Sequence, residues 1–173
     1  MYIAPAITGP SGYAANIFQS LRQRALLSAL WAKLTRGEKC LISFFDVEAA
    51  PETLMKTYAG LRDVPVRQIV GTLDRAADFD GCFRPLGKHL RDRWVYAFTS
   101  LQTDAWAPIV VHKIEDRYYV EDGHHRVSVA NYVGMAFIQA EVWEHTPAPF
   151  AVSFPQPALQ MQTAECDATM CAE

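Results

Sequence analysis

The sequence predicts an α+β fold: a small mixed sheet with packed helices, preceded by an N-terminal helical extension. Three observations predict it. In APIVVHKIEDRYYVEDGHHRVSVANYVGM two short strands around a tight turn run directly into a helix. Apolar residues recur at helical spacing over 14–36 and again over 86–102. The 173 residues are 50% hydrophobic and 20% charged, the balance of one globular domain with a real core.

Residues 14–36 place Ile17, Phe18, Leu21, Ala25, Leu27, Leu30, Trp31 and Leu34 among Arg22, Arg24, Lys33 and Arg36, which predicts one amphipathic helix stopped by Gly37. A solvated basic face on a packing helix is its ordinary reading, and Phe18 and Trp31 are expected to dock on the rest of the protein or on a second copy. In 43–58, Ser43 followed by Asp46 resembles a capping box, and Pro51 divides the segment into two short helical pieces. DVPVRQIVGT, 63–72, reads as a strand whose Pro65 marks an edge or a beginning. DRAADFDGCFRPLGKHL, 74–90, is a long polar loop carrying Arg75 and Arg84.

The helix over 86–102 turns Leu90, Trp94, Ala97, Phe98 and Leu101 to the core and Lys88, Arg91 and Arg93 outward. Strands follow at 108–114 and 117–121 about a turn near Glu115 and Asp116, then a helix over 124–133 that Gly134 closes. A last strand over 135–144 directs Phe137, Ile138, Ala140 and Val142 inward. Beyond it the periodicity ends in a proline-bearing tail. The expected organisation is a helical extension over 1–62, the domain over 63–145 and an irregular tail over 146–173.

Composition narrows the function classes. A formal net charge of −3 offers phosphate backbones no general attraction, so nucleic-acid binding needs a local patch. Cys40, Cys82, Cys166 and Cys171 form no Cys-x-x-Cys pair, which argues against a disulfide framework or a closed zinc site and for a reducing cytoplasm. Cys40 and Cys82 are expected as small buried side chains. The first residues do not read as a signal peptide, and no apolar run is long enough to span a membrane.

The chemistry concentrates at DGHHR, 122–126. Gly123 permits backbone conformations closed to other residues and lets a ligand approach the main chain. The first N–H groups of the following helix are unpaired and favour anions, phosphate above all. Arg126 adds a forked donor, and His124 and His125 are donors when protonated or bases when neutral. The plain alternative is that Asp122 caps the helix and the histidines are surface residues. A metal site would gather His124, His125 and Asp122 with His112 or His89, but adjacent helical residues point about 100° apart. No intrinsic zinc or iron is therefore expected, and magnesium would arrive with nucleotide phosphates. Ser128 lacks a Gly-x-Ser-x-Gly elbow, and no Walker lysine or dinucleotide fingerprint is present.

With VPVRQIVGTLDR, a helix, and then APIVVHKIEDRYYVEDGHHRVSVANYVGMAFIQAEVWE, residues 63–144 resemble the ParB/sulfiredoxin-like domain, specifically the ParB N-terminal domain and its stand-alone relatives. In that superfamily the Gly-x-x-Arg turn holds nucleotide or phosphate, which the resemblance carries to Gly123 and Arg126. ParB proteins have Gly-Glu-Arg-Arg there and sulfiredoxin Gly-Cys-His-Arg, so His125 and Arg126 match sulfiredoxin's phosphate-contacting pair. His124 stands where its catalytic cysteine would be, and the reductase activity is not implied. An arginine after the first strand faces the same pocket in relatives, which points to Arg75. Asp78 and Asp80, in the same loop, become weak candidates for magnesium or for accepting a proton.

The resemblance implies a domain that binds a nucleotide or phosphorylated small molecule, with phosphoryl transfer or nucleotide hydrolysis as its chemistry. His124, His125 and Asp122 are the candidate catalytic groups, and Gly123, His125, Arg126 and Arg75 the phosphate ligands. A non-catalytic, nucleic-acid-associated or regulatory module is the alternative, with a homo-oligomer formed through the helix at 14–36. A ParB-like nuclease ranks third, since only Asp78, Asp80 and Asp122 could serve metal-assisted hydrolysis.

Overall fold

The computed structural model describes residues 9–35, 41–47, 54–103 and 106–147. Its elements in chain order are α1 (Pro10–Thr35), β1 (Ile42–Ser43), the single turn α2 (Phe44–Val47), β2 (Leu54–Pro65), β3 (Ile69–Thr72), α3 (Arg91–Thr103), β4 (Ile109–Ile114), β5 (Arg117–Asp122), α4 (His124–Val133) and β6 (Phe137–Pro147). Among the described residues the strands form one mixed sheet in the order β1-β3-β5-β4-β6-β2. The β4 strand pairs antiparallel with β5 and parallel with β6, while β3 runs parallel to β5. The α+β class and the mixed sheet agree with the sequence reading.

Strand alternation explains where the core lies. Ile109, Val111, Val120, Ile138, Ala140 and Val142 are buried together with Trp94 of α3 and Val127 and Ala130 of α4. On α1, Ala14, Ile17, Phe18, Leu21 and Ala25 complete the same cluster or lie buried beside it, at spacings of three and four. Phe18 meets Trp94 with ring centroids 5.9 Å apart, and Trp94 Nε1 donates to Ser128 Oγ at 3.0 Å, which ties α3 to α4. Among the described side chains of α1, Ala25 is the last that is buried. Leu27, Leu30, Trp31 and Leu34 are exposed, so Phe18 docks as expected on this chain while Trp31 stays 66% exposed.

Several expectations are corrected. The second helical piece expected before residue 58 is strand, because β2 pairs with β6 from Leu54↔Pro147 to Pro65↔Phe137. Tyr58 packs on Trp143 at 5.0 Å and Lys56 Nζ lies 4.5 Å over the same indole, and such cross-strand pairs outweigh local helical preference. The sheet thus reaches N-terminal of residue 63, and α1 and β1 share its core and ladder. The single strand expected over 63–72 is broken: edge strand β2 ends at Pro65, a 3₁₀ turn covers Val66–Gln68, and β3 begins at Ile69. Phe137 is 55% exposed, since alternation that buries Ile138 turns its neighbour outward. Cys82 is exposed. Gly37, Cys40, Pro51 and tail residues 148–173 lie outside the described residues, while residues 146 and 147 continue β6.

Candidate functional site

The turn into α4 is built by the β4–β5 hairpin. Glu115 takes a left-handed φ of 52° at its tip, and the register shifts between Val110 and Val111, leaving Glu121 as the extra residue opposite. Gly123 then adopts φ 101°, and a Cβ there would lie 2.4 Å from Ile109 Cγ2. Gly123 is itself the N-cap of α4, with no side-chain cap, and the Val127 N–H donates to Gly123 O at 3.0 Å. The N–H groups of His124, His125 and Arg126 thus precede the intrahelical ladder. Asp122 sits one residue too early to cap. Its carboxylate accepts from Arg126 Nη2 at 2.6 Å instead.

A cleft of about 870 Å³ opens over this helix end. Gly123, His124, His125 and Arg126 form one wall, Asp74 and Arg75 a second, and Arg93, Tyr96, Ala97 and Ser100 of α3 a third, with Trp106 beside them. Trp106 is fixed by donating its indole N–H to Ala97 O at 3.0 Å and Ser100 Oγ at 3.2 Å. Three arginines face Asp74, Asp92, Glu121 and Asp122 around the cleft. Its electrostatics are mixed, with carboxylates interleaved among the guanidinium groups.

His124 is almost fully buried. Its Nε2 lies 2.6 Å from Thr72 Oγ1, which also accepts from Arg75 N at 3.1 Å. The Thr72 hydroxyl thereby joins α4, the end of β3 and the turn that presents Arg75. The His124 ring stacks on Phe79 at 6.0 Å, and His125 meets Phe79 edge-on at 5.5 Å. Burial pushes the His124 imidazole down to about 4 against the opposing pull of Asp74, with Arg75 adding to the fall. His125 is also held down at about 4 by burial, then by His124, Arg93 and Arg75. Both rings are neutral at pH 7. His125 Nε2 is buried without a hydrogen-bond partner among the described residues.

Arg126 reaches across the turn. Its Nη1 donates to the carbonyls of Ala107 and Pro108, the latter at 3.0 Å, while Nη2 holds Asp122. Arg75 pairs with Asp78 at 3.0 Å, and Asp78 also meets His89 Nε2 at 3.2 Å. Asp80 stands apart: it is buried, accepts from the Cys82 and Arg84 amides at 3.0 and 2.9 Å, and pairs with the Arg84 guanidinium at 2.7 Å. It organises the loop over 74–90, whose Phe79 and Phe83 are buried.

The fold therefore brings Asp122, Gly123, His124, His125, Arg126 and Arg75 to one cleft, with Asp78 joined to its rim through Arg75. Among the described residues no three His, Cys, Asp or Glu side chains converge for a metal ion. His89 is engaged by Asp78, and His112 by Glu121 and His145. Sequence reading missed Thr72, Arg93, Tyr96, Trp106 and Glu121. Arg93, Tyr96 and Ser100 share one helical face by spacing, a signal present in the sequence, but only the tertiary arrangement turns that face to DGHHR.

No family model matches the chain, and no curated protein matches it. Among solved structures, sulfiredoxin from Arabidopsis thaliana is similar at 19% identity with a TM-score of 0.36, over 47% of this chain and 82% of the other. A likeness of that size establishes neither family nor activity.

Proposed function

We propose that this chain is a ParB/sulfiredoxin-like module that binds a phosphorylated ligand, a nucleotide in the first instance, over the N-terminus of α4. The observation that carries this reading is that the α4 N-terminus, free of a side-chain cap, opens into the same cleft as Arg75, Arg93 and Arg126. The helix end and Arg126 would hold phosphate oxygens, and Arg75 would face charge developing on a transferred phosphoryl group. His125, neutral and with an unpartnered Nε2, is better suited than His124 to move a proton, since His124 Nε2 is engaged by Thr72. Magnesium would enter with the nucleotide and meet Asp74, Asp92 or Asp122 at the rim. The nuclease reading loses Asp80, whose oxygens are committed to Arg84 and the loop amides. No helix among the described residues is long and apolar enough to cross a membrane.

A thermal-shift panel of nucleotides and inorganic phosphates, with and without magnesium, tests the proposal on the wild type and on Arg126→Ala. Binding to the folded state raises the melting temperature by mass action. A shift in the wild type that Arg126→Ala loses supports the reading, and no shift with any phosphate removes it. A second reading, a regulatory or nucleic-acid-associated module assembled as a homo-oligomer, is favoured by the exposed stripe Leu27, Leu30 and Leu34 on α1.

A further inference from the structure

On the face of the sheet that carries Phe44, three titratable side chains stand in a chain. His112 of β4 is 4% exposed, and its Nε2 lies 2.6 Å from Glu121 Oε2. Its Nδ1 lies 2.7 Å from Nε2 of His145 on β6. Phe44 closes over both imidazoles edge-on, with centroids 5.6 and 5.1 Å away, and fixes their planes. Glu121 is the bulge residue of β5. Its half-exposed side chain lines the cleft at DGHHR and simultaneously meets His112.

The bonding fixes the proton positions. A carboxylate only accepts, so His112 donates from Nε2. Burial holds His112 below its usual range against the opposing hydrogen bond from Glu121, and holds His145 down as well, with Lys56 of β2 pressing both the same way. A neutral His112 has only an acceptor at Nδ1, and His145 donates to it from Nε2. The order is His145 to His112 to Glu121, every donor facing an acceptor.

We propose that His145, His112 and Glu121 form a proton relay that ends in the cleft, with Glu121 as the cleft's acid–base group and the two histidines as the residues that position and reload it. A proton taken up at His145 Nδ1 releases the Nε2 proton to His112 Nδ1. His112 passes its own Nε2 proton to Glu121 Oε2. Both rings end neutral in the opposite tautomer, Glu121 ends as the carboxylic acid, and all hydrogen bonds persist with reversed direction. Rotation of the carboxyl group delivers the proton to the cleft, and the chain is reset when Glu121 takes a proton back from the cleft and the reverse sequence carries one out at His145 Nδ1. The relay is defined without any ligand and stands or falls separately from the phosphate reading.

Nitrogen-resolved NMR of the histidine rings in the full chain tests it. At pH 7 the wild type should show both His112 and His145 neutral with the proton on Nε2, and a His112 Nε2 proton that exchanges with water through the chain. Cutting either end, with Glu121→Gln or with His145→Phe, which keeps a ring under Phe44, should slow that exchange about tenfold or more. A purely structural hydrogen bond predicts the opposite sign, because losing a partner loosens His112 and speeds exchange. Faster exchange in either folded variant, or a wild-type His112 that is charged or bears its proton on Nδ1, overturns the proposal.

Discussion

The guanidinium of Arg126 is held 2.6 Å from the carboxylate of Asp122 across the Gly-His-His turn, so the donor best placed for a phosphate rests with its charge already balanced. A ligand phosphate would compete with Asp122 for Nη2. The Asp122 side chain is 72% exposed, which limits what the pair contributes. Asp122→Asn should therefore tighten phosphate binding by up to about fivefold. Calorimetric titration with inorganic triphosphate measures this, and weaker binding in Asp122→Asn would mean that the carboxylate serves the ligand directly.

The buried neutral histidines make stability depend on pH. His124 and His125 are held at about 4 in the fold, whereas in the unfolded chain they titrate near the ordinary histidine value of about 6.5. Between those values the unfolded state binds more protons, so stability is full above about pH 6.5, falls as pH drops toward 4 and levels off below it. His124 alone is worth on the order of 3 kcal/mol across that window. Urea unfolding from pH 7.5 to 4 reads the slope, and His124→Gln should reduce it while leaving the His125 share. A flat wild-type profile would contradict the neutral, buried assignment.

Gly123 tolerates no side chain on two grounds. Its φ of 101° is strained for other residues, and a Cβ would press 2.4 Å from Ile109 Cγ2. Gly123→Ala should cost about 2 kcal/mol or more and lower the thermal midpoint accordingly. An alanine variant of wild-type stability would show that the turn takes another backbone path.

The outer half of α1 makes a separate prediction. Leu30 and Leu34 are 64% and 81% exposed, so replacing both with glutamate should leave monomer stability within about 0.5 kcal/mol per site. If a second copy packs there, sedimentation will find the wild type associated and the double variant monomeric. Identical sedimentation of the two removes the homo-oligomer.

Much of the site was legible because its residues are contiguous. The run from the turn at Glu115 through Gly123 to the cap at Gly134 combines strand alternation, glycine chemistry and helical spacing, all local, and the structure follows it almost to the residue. Long-range pairing was less legible. Leu54–Tyr58 has enough helical character to pass for a helix until Tyr58 finds Trp143 and Lys56 finds the same indole. Likewise, the roles of Asp78, Asp80 and Glu121 depended on partners one loop or one strand away. Asp80 turned to Arg84. Glu121 gained its place through a bulge that shifts it out of strict alternation. The sequence singles out both histidines, but burial gives them different surroundings, with His124 Nε2 against Thr72 and His125 Nε2 buried and unpartnered among the described residues.

Phosphate held by the backbone and side chains at the start of α4 would be seen in an amide-resolved NMR titration of the full chain with inorganic triphosphate and with magnesium nucleotides. Saturable shifts should concentrate on the Gly123, His124, His125 and Arg126 amides, with smaller ones at Arg75 and Arg93, all lost in Arg126→Ala. Shifts confined to other surfaces, or no saturable shift at millimolar phosphate, would contradict that binding mode.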